Sequence, residues 1–260
     1  MGTSGSVGTL AWADETAGRL RDVDVRELQR QATVIRGSAT RVAKRDGPAK
    51  LHSVSAEDLQ IPDSVSCQSI LAFIRAVCPQ WMLQHCLRTF MWAKLLAKKD
   101  DVGFDAEVLF AASLFHDLGL VQRYSSESNS PENSDIACYS ISGARVGAQQ
   151  LQEMGWADSR IDTVRSAIVL HLNLLVAPEE GVEAHLLSAG SAFDSIGARQ
   201  KEIERRVIAQ VIELHPILDM KTQMVSQCAA QADANPKSRI AFLVNRGFNK
   251  WVENSALARQ

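Results

Sequence analysis

The chain is 260 residues long and carries 28 Lys or Arg against 30 Asp or Glu, a formal charge of -2. A hydrophobic content of 46% with 22% charged residues excludes global disorder, and the length suffices for one large domain or two small ones. The near balance of charge argues against wide binding of nucleic-acid backbone, which needs a basic excess.

No apolar run approaches the roughly 20 residues of a membrane-spanning helix, and the start lacks the charged-then-apolar pattern of a secretory signal. The five cysteines (Cys67, Cys78, Cys86, Cys138, Cys228) are scattered, with no Cys-x-x-Cys pair. A reducing, cytoplasmic setting without disulfides or a cysteine metal cluster is therefore expected.

Residues 1–50 read as an N-terminal arm, partly helical or mobile, small and polar from Met1 to Gly8. One helix is expected over Ala17 to Arg36, then a linker at Arg45-Asp46-Gly47-Pro48. Gly2 and Ser6 formally match a myristoylation pattern, but an arm is the plainer reading.

Residues 51–260 read as the main domain. Apolar residues at three- and four-residue spacing predict helices over 64–77 and 79–99. Asp105 is the expected N-cap of a helix from Ala106 to Asp117, which Gly119 would close. The polar stretch 121–139 reads as a long loop, able to form a lid. Helices resume from Ser142 to Met154, stopped by Gly155, and then from a cap at Asp158 to about Leu172. Further helices are expected over 180–196, 199–214, 217–231 and 237–252. The two between 199 and 231 are amphipathic, which suits either internal packing or a homo-oligomer. The fold class is all-α.

Three places carry polar groups too costly to be incidental. The helix before His116-Asp117 is apolar almost all round, so the pair is expected to be buried. A buried carboxylate needs a cation or several donors, because an unpaired one costs several kcal/mol. Neighbours diverge by about 100° on a helix, so the two side chains converge only where the helix is ending. His85 lies in the apolar run Trp81 to Leu87, with Arg88 and Trp92 on the same face. Asp194 lies in the apolar stretch Leu186 to Ile196. Two imidazoles and two carboxylates suit a borderline divalent ion such as zinc or iron.

A lone histidine, a His-Asp pair at a helix end and a distant aspartate resemble the signature of the HD-domain superfamily of metal-dependent hydrolases. The match extends to five ordered segments: His85-Cys86-Leu87-Arg88-Thr89-Phe90, Leu114 to Leu120, Ile141 to Arg145, Ala167 to His171, and Ala189 to Gly197. These look like the cyanamide-hydratase-like branch, over about residues 60 to 250. The resemblance implies an HD-domain helical bundle holding one metal, zinc first and iron second, through His85, His116, Asp117 and Asp194.

The implied reaction is addition of water to a small nitrile, as in cyanamide to urea, with a metal-activated water as nucleophile. Asp117 and His171 become the catalytic candidates, His171 as proton shuttle, against a plain role for His171 as a helix C-terminal cap. Arg88, Trp92 and Phe115, with Trp81, are the expected pocket residues, and the partner is a small molecule. Leu172-Asn173 after His171 departs from the residues many relatives carry there.

The rival is an HD-type phosphohydrolase acting on a nucleotide or other phosphate ester. Its second metal would need His171 or His185, and its phosphate would need Arg88, Arg123 or Arg145. His185 precedes Asp194 by nine residues, about 900° of helix, which sets the two on opposite faces unless the helix breaks at Gly190. A binding domain that has lost its chemistry is disfavoured by the complete ligand set, and Cys86 offers no activated thiol.

Overall fold

The computed structural model describes residues 5–42, 50–125 and 136–259. Gly2, the linker 45–48 and the polar run 126–135 lie outside these, so neither the myristoylation pattern nor a lid is described. Among the described residues the chain is helical, with one isolated bridge between Leu51 and Ile203 and no strand.

α1 (Leu10–Thr16) and α2 (Asp22–Val42) precede the main body. α3 (Val65–Val77) starts where the Ser64 hydroxyl accepts from the Cys67 N–H, and it buries the stripe Cys67, Ile70, Leu71 and Ile74. α4 (Gln80–Asp100) is buried over most of its length and stops at Asp101, in the left-handed conformation at φ 54°. α5 (Ala106–Phe115) is capped by the Asp105 carboxylate, which accepts from the N–H groups of Glu107 and Val108.

Every residue of α5 from Val108 to Phe115 is buried. A helix apolar on all sides needs a neighbour on each. α3, α4, α6 (Tyr139–Glu153), α7 (Asp158–Leu170) and α8 (Val182–Ile196) supply them, so α5 is the central post of the bundle. Whatever sits at its C-terminal end is delivered to the interior.

Several boundaries differ from those expected. α5 ends at Phe115, two residues before Asp117, and Gly119 lies inside a following 3-10 turn, Leu118–Leu120. α6 begins at Tyr139, before Ser142, and Asp158 is the first helical residue of α7, not its cap. The stretch from 199 opens with a 3-10 turn before α9 (Arg205–Leu214). α10 (Met220–Ala234) packs on α4 and on the final pair, α11 (Arg239–Asn245) and α12 (Phe248–Asn254), which Arg246-Gly247 divides. Helical periodicity continues across that division, so the spacing reads as one helix.

The N-terminal segment is docked. Trp12 is wholly buried, and its indole N–H donates to Asp24 at 3.1 Å. Asp24 also accepts from Arg21 at 2.8 Å. The Arg239 guanidinium lies 4.8 Å from the centre of the Trp12 ring. Arg239 is itself fully buried and donates to the Val169 carbonyl (2.6 Å), Asn173 (3.1 Å) and Ser140 (2.9 Å). Asn173 in turn donates to the Val7 carbonyl at 2.9 Å, and the Ala137 N–H to the Ala17 carbonyl at 2.8 Å. Residues 5–24 are thereby tied to α6, α7 and α11. All five cysteines are buried and free. Among the described residues no helix is long and apolar enough to cross a membrane.

Candidate metal centre and adjoining cavity

α4 presents His85, Arg88 and Trp92 along one face, and α8 brings Asp194 up to it across 109 residues of sequence. At the end of α5 the backbone leaves helical geometry at Asp117 (φ -102°, ψ 6°), so His116 and Asp117 turn towards one point despite being neighbours. Gly119 makes that turn possible by close approach: a Cβ there would lie 1.9 Å from the Tyr139 carbonyl oxygen. Its service is to let the turn touch α6, not to end a helix.

One ligand atom each from His85, His116 and Asp117 lie within 4.8 Å of one another. The His85 and His116 Nε2 atoms stand 3.3 and 3.4 Å from Asp117 Oδ2. Each imidazole is held from behind: His85 Nδ1 by Asp194 Oδ2 at 2.7 Å, His116 Nδ1 by the Ser113 carbonyl at 2.8 Å. Both acceptors fix the proton on Nδ1 and leave the Nε2 lone pair facing the centre. Both Nε2 atoms are buried without a hydrogen-bond partner. Buried polar atoms left so are costly, and a divalent cation satisfies them together with the carboxylate. The residues present therefore fit a metal.

The ionisation of the group agrees. Burial alone would lower His85, but the carboxylates of Asp117 and Asp194 outweigh it and hold the imidazole up at about 9. Burial would raise Asp117, yet His116 and His85 keep it well below the usual carboxylate range. Burial lowers His116. Where no cation sits, the two carboxylates hold a second proton on His85, at Nε2, and a bound cation would take that proton's place.

Asp194 stands one step behind this trio. Its Oδ2 accepts from His85 and the Arg88 Nη2 (2.8 Å), and its Oδ1 from the Arg88 Nε (2.8 Å) and the Trp92 indole N–H (2.7 Å). Four donors occupy its two oxygens, so in this arrangement it orients His85 and is not grouped with the three converging ligand atoms. Arg88 is anchored in turn by the carbonyls of His215 and Pro216 at 3.1 and 2.7 Å.

His171 caps the C-terminus of α7 and also faces the site. Its Nδ1 is held by the Ile168 carbonyl at 2.5 Å, and its Nε2 lies 3.8 Å from Asp117 Oδ1. Burial and the neighbouring His116 push it down to about 3, which keeps the imidazole neutral. His185 is engaged elsewhere, with the Val176 carbonyl at 2.7 Å, and α8 runs unbroken through Gly190.

Asp117 and His171 form the inner end of a cavity of about 110 Å³. Its walls include Leu120, Tyr139, Leu172, Asn173, Ser188, Ser191, Ser195, Met224, Leu243, Phe248 and Trp251. The expected pocket residues are not among them. Arg88 and Trp92 are wholly buried beneath Asp194, and Phe115 is packed on Phe73 at a ring separation of 6.1 Å. The face of α4 that Arg88 and Trp92 share with His85 meets Asp194, not this cavity. Trp81 is likewise no part of the lining. Sequence reasoning missed Tyr139 because it closes a stretch that reads as loop. The serines of α8 were readable only as a row at three- and four-residue steps on one stripe.

A helical bundle gathers two imidazoles and a carboxylate, a set that fits a divalent metal, beside a small cavity. The HD-domain family model matches residues 82–234, which takes in His85, His116-Asp117 and Asp194, and the chain belongs to that family of typically metal-dependent hydrolases. No curated protein matches the chain.

Proposed function

We propose that the protein adds water to a small, uncharged, nitrile-like substrate, the reaction type that turns cyanamide into urea. The observation that carries this is the cavity at Asp117 and His171. Its volume of about 110 Å³ falls below the roughly 300 Å³ at which drug-sized ligand sites begin, and no Arg or Lys is among the described residues that line it. A nucleotide would need more room and a cationic wall.

His85, His116 and Asp117 would hold the metal, zinc foremost and iron second, with Asp194 fixing the His85 tautomer and Arg88 and Trp92 fixing Asp194. When bound, such an ion acts as a Lewis acid and draws the pKa of a water towards neutrality. His171 is the proton carrier. Its Nε2 lone pair, freed by the bond from Nδ1 to the Ile168 carbonyl, takes a proton from the attacking water only in passing as the new C–O bond forms, because burial keeps the resting imidazole neutral. It then returns that proton to the nitrile nitrogen as the carbon–nitrogen triple bond opens.

The test offers zinc- or iron-loaded protein cyanamide, short nitriles and a nucleotide panel, measuring urea or amide against inorganic phosphate. Amide or urea formation supports the reading; phosphate release alone overturns it in favour of the phosphohydrolase.

A further inference from the structure

Only the inner end of the cavity carries chemistry. Beside Asp117 and His171 the wall is largely aliphatic and aromatic, with Leu120, Met224, Leu243 and Phe248 and, at the exposed side, Trp251, which is 39% exposed. Along one side runs the hydroxyl row of α8. Ser195 spends its proton on the Ser191 carbonyl at 2.7 Å, and the half-buried Ser188 and Ser191 line the cavity beside it.

A cavity of roughly 150 Å³ takes benzene, about 25 Å³ per carbon, so about 110 Å³ accommodates on the order of four or five heavy atoms before any part reaches the mouth. A three-atom substrate leaves part of this apolar space unfilled or holding poorly bonded water.

We propose that the site selects a neutral substrate in which the hydratable group carries an apolar body of a few carbons, the body seated among Met224, Leu243 and Phe248. The hydroxyls of Ser188 and Ser191 make one wall polar, so the body is small and uncharged but not required to be pure hydrocarbon. This deepens the hydratase reading and rests on it for the reaction, yet it concerns binding alone and is measurable without turnover.

The probe is the straight-chain amide series from acetamide to hexanamide, added to the protein as purified. Binding is read from tryptophan fluorescence, with Trp251→Phe to assign the signal to the mouth. Burial of each added methylene is expected to tighten binding about four-fold up to a body of about two carbons, where the amide and its chain together reach the four or five heavy atoms that fit, and little thereafter. Leu243→Trp, which fills the cavity, is expected to cost the longer amides more than acetamide. A flat series, or one tightest at acetamide, overturns the proposal, and the wild-type series decides even where the variant does not fold. A rising series with no hydration of any nitrile keeps the proposal and overturns the reaction. Hydration of nitriles with a flat amide series does the reverse.

Discussion

Gly190 is the point where α8 crosses α4, and two effects of opposite sign compete there. As a helix-interior glycine it is a weak residue: Gly→Ala should stabilise an exposed helix by about 1 kcal/mol. At this crossing, however, an added Cβ would lie 2.4 Å from the Thr89 carbonyl oxygen and 3.0 Å from both the backbone N and the Cβ of Ala93. The first contact is with backbone, which has no rotamer to yield, so the helices must part by more than half an ångström to reach even 3.0 Å. Overpacking of this kind costs about 1–3 kcal/mol and here outweighs the propensity gain, for a net loss of up to about 2 kcal/mol. For a chain of this length that lowers Tm by on the order of 4–8 °C.

The same displacement separates His85 and Arg88 on α4 from Asp194 on α8, so Gly190→Ala should also lower metal content. Calorimetric melting and metal analysis of the purified variant test both. A variant that melts higher than wild type, as propensity alone demands, would refute the account of this crossing.

Removing Asp117 or His116 as Ala should take the purified protein from about one metal equivalent to near none, with activity lost; full occupancy in both variants would exclude the ligand assignment. Trp12→Ala should cost up to about 3–5 kcal/mol, limited by the free energy with which residues 5–24 dock, and should expose that segment to limited proteolysis. Unchanged cleavage would show that the indole does not hold it.

Burial raises Asp24, but hydrogen bonds from Arg21 and Trp12 outweigh it and leave the carboxyl below its ordinary value. A depressed folded-state pKa contributes stability that is complete above the unfolded value, near 3.8, and lost as pH falls through the folded one. Amide exchange in residues 5–24 should therefore accelerate only below about pH 4, and Asp24→Asn should abolish that acid step. An acid step that persists in Asp24→Asn would place its origin elsewhere.

Local rules are written in neighbouring residues, and those were legible. The stripes of α3 and α4, the Asp105 cap and the burial of His116-Asp117 at the end of an apolar helix follow from spacing and side-chain type. So does the all-α class. Spacing tells which face of a helix is buried but not what it is buried against, and the rest turned on that.

Arg88 and Trp92 share a face with His85, yet only the packing of α8 on α4 sends them to Asp194 and not to the cavity. Asp194 is a costly acid in an apolar helix, but its four donors come from over a hundred residues away. Trp12 is held by Asp24 nearby but also by Arg239, more than two hundred residues away. The chain alone determined which groups had to find partners in the interior. The tertiary structure chose the partners, because contacts between helices depend on crossings such as that at Gly190, which no periodicity encodes.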